Sequence, residues 1–249
     1  FVRAHAPDTR IGMQLGHAGR KAATKLMWEG DNEPLPTGAW PIMSASAVPW
    51  KKENQVPRAM TRQDMDRVRD EFVGAVGRAV EAGFDLIEIH LAHGYLLASF
   101  ISPLTNRRTD EYGGTLANRM RFPLEVLRAV RAAWPAERPL TARVSATDWV
   151  PGGWNLESTV ALAQALKARG CAAIHVSSGG VSPQQAIKPG PGYQVPFAHR
   201  LKLEVGLPTI AVGLITEPEQ AEAIIARGEA DAVALARGML YDPRWPWHA

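Results

Sequence analysis

Six short apolar segments alternate with amphipathic ones along most of this 249-residue chain. Segments rich in Ile, Val, Leu and Ala predict buried strands, and the segments between them repeat apolar residues at helical spacing. The predicted strands lie at 10–17, 84–90, 139–146, 172–178, 208–213 and 231–237, and the predicted helices at about 61–82, 117–133, 156–169, 196–205 and 217–227. This alternation is typical of a parallel sheet covered by helices, so we predict an α/β protein.

Polar residues inside the predicted strands distinguish a closed barrel from an open sheet. In "FDLIEIH" Glu88 and His90 share one face, and in "TARVS" Arg143 and Ser145 share one face. Polar side chains on a buried strand suit a barrel interior near its rim, where a ligand meets them. No GxGxxG follows the first strand, which weighs against an open dinucleotide-binding sheet. We therefore predict a (β/α)8 TIM barrel forming a single domain over 1–249, with about six of its eight βα units in this chain.

Charge, hydropathy and cysteine usage limit the partners of this domain. The formal net charge of +3 is small and scattered, which does not favour nucleic-acid binding. No apolar run approaches the roughly 18 residues of a membrane span, and no signal peptide is visible, so we expect a cytoplasmic protein without a membrane partner. The single cysteine, Cys171, excludes an internal disulfide framework, and its place at the end of an apolar helical pattern predicts a buried structural thiol.

A long segment at about 18–60 separates the first two predicted strands. It is rich in Pro, Trp, Gly and Ser, as in "EPLPTGAWPIMSASAVPW". Loops of this length are usually functional or disordered, and the aromatic residues and prolines argue against disorder. We predict an ordered excursion over the mouth of the barrel.

Two glycine-containing segments near the C-terminus predict a phosphate site. Gly213 follows one strand, and Ala236-Arg237-Gly238 follows the last. Loops after the final two strands of such barrels commonly bind phosphate through backbone N–H groups at a helix N-terminus. The guanidinium of Arg237 would add a positive charge and paired N–H donors for the phosphate oxygens. The alternative is that Gly213 and Gly238 only turn the chain.

The histidine pair in "EIHLAHGYLLASF" has three interpretations. His90 and His93 lie three residues apart where the chain leaves a strand, unlike the i, i+4 spacing of helical metal motifs, and no second ligand cluster is near in sequence. The pair could be packed core histidines, or two donors aimed at one carbonyl or carboxylate oxygen, which we favour over a metal site. Tyr95 follows closely and could relay a proton or simply pack against the loop. Arg143 could stabilise an anionic ring system, form an ion pair with Glu88, or do both.

Taken together, these segments resemble the Old Yellow Enzyme family of flavin-dependent ene-reductases, and most closely its thermophilic-like subclass, which includes xenobiotic reductases. The similarity is carried, in order along nearly the whole chain, by "QLGHAGRKA", "IHLAHGYLLASFISPLTNRRTDEYGG", "RVSATDWVPGGW", "VSSGG", "AVGLITEPEQAE" and "ARGMLYDPRWPW". The resemblance implies a TIM barrel with noncovalent FMN at its mouth. It also implies hydride transfer from NADPH or NADH to the flavin, and from there to an activated alkene.

The resemblance assigns roles to cofactor-binding residues one at a time. Gln14 is similar to the amide that hydrogen-bonds the flavin pyrimidine ring, and Arg143 to the arginine at its N1/C2 oxygen edge. Gly213 matches one phosphate-side loop. Ala236 and Arg237 match the family's Gly-Arg at the FMN phosphate, with alanine in place of glycine.

The substrate side is assigned in the same way. His90 and His93 match the pair that binds the substrate carbonyl oxygen, so that the β-carbon accepts hydride. Tyr95 matches a candidate for protonating the α-carbon. The resemblance thus implies no metal.

The chain also departs from the family pattern. Two βα units precede "QLGHAGRKA" in the family and carry a cysteine that tunes the flavin potential, a substrate-contacting tyrosine and backbone contacts to the flavin; Cys171 is not in that position. Relatives also continue past the "WPW" motif into a tail that reaches a neighbouring subunit. We therefore expect a chain truncated at both ends.

The resulting functional prediction is an FMN-dependent ene-reductase that acts on small α,β-unsaturated ketones and aldehydes with NAD(P)H, and that forms a homo-oligomer at full length. The alternatives are a flavin dehydrogenase with a different substrate and an incomplete barrel without catalytic activity.

Overall fold

Eight strands make up the sheets of the computed structural model, which describes residues 1–30 and 32–249. In chain order they are Gly12–Leu15 (β1), Met43–Ser44 (β2), Arg58–Ala59 (β3), Leu86–Leu91 (β4), Leu140–Ser145 (β5), Ala173–Ser177 (β6), Thr209–Ala211 (β7) and Ala232–Val233 (β8).

Nine α-helices accompany them in the same described ranges. They are Val2–His5 (α1), Arg62–Glu81 (α2), Leu96–Ile101 (α3), Leu116–Ala133 (α4), Leu156–Lys167 (α5), Val195–Val205 (α6), Pro218–Ala226 (α7), Arg237–Tyr241 (α8) and Trp245–His248 (α9), with a 3₁₀ turn at Gly19–Lys21.

Six strands form one parallel sheet in the order β1-β4-β5-β6-β7-β8. These are the six strands that the sequence predicts, and each pairs in parallel with the next. Chain-order neighbours joined by helices are the arrangement of a barrel wall, because a right-handed crossover returns each strand beside the last. The carboxyl ends of all six strands therefore open on one edge, where the functional residues are expected.

The excursion after β1 is ordered in its described part, as predicted; Asp31 lies outside the described residues. It contains the small parallel pair β2–β3. Ile42, Ala45 and Trp50 from this segment are buried, so it packs against the barrel instead of extending into solvent. Burial of apolar side chains of this size stabilises the covered arrangement by roughly 1.5–3 kcal/mol for each large side chain.

The predicted helices are present with small shifts at their ends. Thr61 and Asp64 form a reciprocal capping box at the start of α2. Gly206 ends α6 in the left-handed conformation. Cys171 is buried as predicted, and burial raises the pKa of its thiol to about 12.

Two differences from the sequence prediction have physical causes. β7 and β8 are shorter than predicted, because the chain leaves the sheet at Gly213 and starts α8 after Ala236. Helix α3 was not predicted: all six of its residues are buried, so it has no polar face from which a helical period could be recognised.

Nowhere in the described ranges is a helix long and apolar enough to cross a membrane.

Candidate active site

Strand register places a row of polar side chains on the inner face of four neighbouring strands. Gln14 of β1 is level with Glu88 of β4, His90 of β4 is level with Arg143 of β5, and Arg143 is level with His175 of β6. Residues level with each other on parallel strands point to the same face of the sheet. The structure therefore brings together the predicted residues from "QLGH", "IEIH" and "ARVS" and adds His175, which the sequence analysis missed.

His90 and His93 are hydrogen-bonded to each other. His90 Nε2 and His93 Nδ1 are 3.2 Å apart, and His90 Nδ1 accepts from the backbone N–H of Ala92 at 3.1 Å. Because Nδ1 of His90 accepts, its proton lies on Nε2, which donates to His93 Nδ1. His93 then carries its proton on Nε2, 2.8 Å from Ser177 Oγ. The prediction that both rings donate to one substrate oxygen stays a prediction, since each N–H has a partner within the protein here.

Both imidazoles are neutral over the ordinary pH range. Burial lowers the pKa of His90 to about 4, and the neighbouring Arg143 lowers it further. Burial lowers the pKa of His93 to about 3, aided by His90, Arg143 and Lys21. A neutral imidazole donates a hydrogen bond without adding a positive charge to an already cationic mouth.

The depressed histidine pKa values predict that stability falls as the solution is acidified. Their unfolded values lie near 6.5, so between about pH 6.5 and 4 the unfolded chain binds protons that the folded chain does not. Each histidine then lowers the free energy of unfolding by up to about 1.4 kcal/mol per pH unit across that window. Urea midpoints at pH 7, 6 and 5 measure the slope, and His93→Asn should flatten it. An equal slope in both proteins would contradict the assigned neutrality.

Tyr95 lies beside the pair, at the N-cap of α3. The centroid of its ring is 4.9 Å from that of the His90 ring, and Lys21 Nζ lies 5.6 Å from the Tyr95 centroid. Within the described residues, its hydroxyl has no hydrogen-bond partner. The side chain is thus half-buried against the pair with its hydroxyl available to a ligand.

The loop that carries His93 is held by backbone contacts that the sequence analysis missed. His93 has a left-handed φ of 59°, which is uncommon for a residue with a side chain. Its N–H donates to Ser145 Oγ at 3.0 Å, and Ser145 donates in turn to Gly179 O at 2.9 Å. Lys21 Nζ donates to His93 O and Gly180 O, at 3.0 Å each. Two strand ends and the 3₁₀ turn therefore fix this one histidine.

Arg20, like Lys21, holds separate backbone segments together by donating to their carbonyl oxygens. The residue is only 3% exposed, and its guanidinium donates to Pro49 O at 2.9 Å, to Val48 O at 3.3 Å and to Val181 O. Burial lowers its pKa to about 10. The "GRKA" portion of the first motif thus ties the excursion to the loop after β6. Only three-dimensional contacts reveal this, because the carbonyl partners have no sequence signature.

Arg143 does not form an ion pair with Glu88, one of the alternatives left open by the sequence. Glu88 instead accepts from Gln14 Nε2 at 2.6 Å and lies 3.3 Å from His175 Nδ1. Arg143 Nε is buried without a hydrogen-bond partner in the described chain. A guanidinium left in this state suits an anionic or carbonyl-bearing ligand.

The predicted phosphate residues lie at the ends of adjacent strands β7 and β8. Gly213 has a φ of 121°, and a Cβ there would lie 2.6 Å from Gln194 Nε2, so glycine is needed at this turn. Ala236 is the N-cap of α8, and Arg237 is its exposed first residue. This places backbone N–H groups and one cation at neighbouring strand ends, as the phosphate prediction requires; the roles themselves stay predictions.

The donor set fits the isoalloxazine and phosphate of FMN better than a metal. Gln14, Arg143 and the Gly213 and Arg237 loops offer N–H donors around one edge of the sheet, and within residues 1–30 and 32–249 Arg143 Nε has no hydrogen-bond partner. No group of three His, Cys, Asp or Glu side chains in the described ranges could hold a metal ion.

Comparison with known proteins agrees with this geometry. The profile of the NADH:flavin oxidoreductase / NADH oxidase family matches residues 2–249. An NADPH dehydrogenase of Geobacillus sp. (strain WCH70) is 46% identical over 249 residues, which are 100% of this chain and 68% of that protein. An NADPH dehydrogenase of Geobacillus thermodenitrificans (strain NG80-2) is 44% identical over the same shares. The chain thus spans about two thirds of the length of these relatives.

Solved structures give the same result for the fold. Morphinone reductase superposes with a TM-score of 0.78 at 28% identity, over 99% of this chain and 67% of its own. Histamine dehydrogenase from Rhizobium sp. 4-9 superposes with a TM-score of 0.80 at 27% identity, over 98% of this chain and 34% of its own. These likenesses confirm the predicted (β/α)8 barrel class, of which the described strands form a six-stranded part.

Proposed function

Because the chain belongs to the NADH:flavin oxidoreductase / NADH oxidase family, the Old Yellow Enzyme family of FMN- and NAD(P)H-dependent oxidoreductases, we propose that it reduces the C=C bond of α,β-unsaturated ketones and aldehydes. The observation that supports this most directly is the His90–His93–Tyr95 cluster at the carboxyl end of β4, one strand from Arg143, whose Nε has no hydrogen-bond partner among the described residues. FMN, when bound, supplies the chemistry of accepting hydride from NAD(P)H and passing it to the alkene.

The residues proposed to hold FMN carry N–H donors at the mouth. Gln14 would contact the pyrimidine ring, Arg143 its N1/C2 oxygen edge, and Gly213 with Ala236 and Arg237 the phosphate. Arg143 is half-buried, and burial lowers its pKa while Glu88 opposes that shift. A guanidinium in so little water interacts with a neighbouring negative charge far more strongly than it would in bulk solvent.

His90 and His93 are proposed to bind the substrate carbonyl oxygen. Negative charge grows on that oxygen as hydride reaches the β-carbon, and neutral N–H donors stabilise it without a proton leaving the ring. The Nε2–H of His90 and of His93 are the available donors, provided that the oxygen displaces their present partners, the His93 ring and Ser177. Tyr95, whose hydroxyl has no hydrogen-bond partner among the described residues, is proposed to deliver a proton to the α-carbon.

The remaining parts of the proposal concern the whole protein. We expect FMN binding by one barrel domain, assembly into identical subunits and a cytoplasmic location, with NADPH or NADH as hydride donor.

The visible absorption band of oxidised flavin tests this function. The purified protein should bind FMN and show that band, lose it anaerobically with NADPH, and recover it when 2-cyclohexenone is added. Protein that remains indifferent to FMN would contradict the proposal. A band that NADPH bleaches and the enone does not restore would favour a flavin dehydrogenase with another substrate.

A further inference from the structure

A carboxylate lies inside the barrel wall beneath the proposed flavin site. The Glu88 side chain is 13% exposed and that of His175 is 11% exposed. Glu88 Oε1 accepts from Gln14 Nε2 at 2.6 Å, while Oε2 lies 3.3 Å from His175 Nδ1 and 3.4 Å from Thr141 Oγ1. A buried charge is tolerated only when its lone pairs are occupied, and here three donors on three different strands surround it.

The carboxylate is ionised in this environment. Burial raises the pKa of Glu88, but the hydrogen bond from His175, the amide of Gln14 and the charge of Arg143 together outweigh burial and hold the pKa below its ordinary value. An ionised carboxylate has no proton to donate, so each neighbour must present a donor to it.

This requirement fixes the amide of Gln14. Its NH₂ group has to face Glu88, which turns its carbonyl oxygen away from the carboxylate. The second N–H of the same group remains beside that oxygen. In a flavin pyrimidine ring, an N–H group lies between two carbonyl groups. The Gln14 carbonyl oxygen can accept from that N–H while the adjacent amide N–H donates to one of the carbonyl oxygens. With a neutral residue at 88, the amide could rotate by 180° and lose the match.

We infer that Glu88 and His175 form a positioning pair for the cofactor. His175 holds the Glu88 carboxylate, and the carboxylate orients the Gln14 amide. The negative charge of the carboxylate also partly offsets the positive charge of Arg143. The inference rests on the proposed FMN site. The pair touches neither the substrate nor the reacting atoms, and it acts by setting the affinity for FMN and the flavin reduction potential. His175 Nε2 is buried and has no partner in the described chain, so the holding contact is through Nδ1 alone.

Glu88→Gln tests the pair in the FMN-loaded protein. Loss of a charge-assisted hydrogen bond and of the fixed amide should raise the Kd for oxidised FMN roughly tenfold or more. Removing a negative charge near the ring should weaken binding of reduced FMN less, which moves the midpoint potential in the positive direction. Each tenfold change in the ratio of the two affinities corresponds to about 30 mV for a two-electron couple. Fluorescence titration and spectroelectrochemistry measure these quantities without turnover.

Substitutions at His175 test the same pair independently of how Glu88→Gln folds. His175→Leu removes the donor and should weaken FMN binding as Glu88→Gln does, whereas His175→Gln can still donate to the carboxylate and should stay within about threefold of wild type. Asp231→Asn is the matched control, since it removes a carboxylate that bonds Thr209 N and Lys202 before β8, at the opposite end of the sheet. It should leave the potential unchanged.

The outcomes separate this inference from the proposed function. Wild-type affinity and potential in either Glu88→Gln or His175→Leu would overturn the positioning role. A wild-type protein that binds FMN but reduces no enone would overturn the proposed substrate alone, and failure of the wild type to bind FMN would overturn both.

Discussion

Replacing both histidines of the pair, His90→Ala with His93→Ala, is expected to lower kcat/KM for 2-cyclohexenone by roughly 10²- to 10³-fold, the usual loss when donors to a developing oxyanion are removed. The bound FMN content should be preserved, because the residues proposed to hold the flavin are Gln14, Arg143 and the Gly213 and Arg237 loops. Affinity for a phenol, whose oxygen resembles an enolate, should fall in parallel. Steady-state kinetics, flavin content and phenol titration check the three statements.

His199→Ala is the matched control for this experiment. It removes an imidazole from α6, outside the carboxyl-end edge of the sheet, and should leave all three quantities at wild-type values. If the double variant loses FMN instead of substrate affinity, the pair is a packed structural element, which was one of the readings that the sequence left open. If it keeps full kcat/KM, the substrate oxygen binds elsewhere.

The six strands of the barrel wall could be predicted because each is a short apolar run and most of them are separated by amphipathic segments. Strand alternation also predicted that Glu88 and His90 share a face, and the register confirms it. The same alternation was present in "AIHVS" and would have identified His175 and Ser177 as inward-facing residues. Helix α3 could not be predicted in this way, because burial on all sides leaves no amphipathic pattern.

Partners within the site were harder to predict than the residues themselves. The sequence left Arg143 beside Glu88 as one alternative, whereas the carboxylate binds Gln14 and His175. Which of several inward-facing cations pairs with a carboxylate depends on side-chain reach across a twisted sheet, and spacing along the chain does not contain that information. The contacts of Lys21 with backbone carbonyl oxygens could not be predicted either, because residue type does not indicate which carbonyl a side chain will bind.

The backbone contacts of the His93 loop connect this local geometry to stability. His93–Gly94 and Gly180–Val181 approach so closely that a Cβ on Gly180 would lie 2.5 Å from His93 Cα. Lys21 donates to both segments and holds them together. The position of His93, the histidine proposed to bind substrate, is therefore set by close packing between two glycine-containing loops, and a change in one of them should alter both folding and activity.

Gly180→Ala is expected to have the largest effect on stability among single small substitutions in this region. The backbone of Gly180 has a φ of 84°, and its added methyl group would meet backbone atoms of His93, which cannot rotate away as a side chain could. We expect the free energy of unfolding to fall by about 3 kcal/mol or more, from overpacking and left-handed strain together. Urea unfolding at pH 7 measures the change.

Gly228→Ala distinguishes the two causes. Gly228 follows α7 with a φ of 68°, so it carries the same left-handed requirement, but no atom of the described part of the chain lies within 4 Å of the added Cβ. Only the conformational cost of about 1–2 kcal/mol should appear there, and kcat/KM should be unchanged. Gly180→Ala should additionally lower kcat/KM, because His93 must move to relieve the contact. Equal losses of stability in the two variants, with activity intact in both, would show that the loops can separate without displacing His93, and that the close approach does not position it.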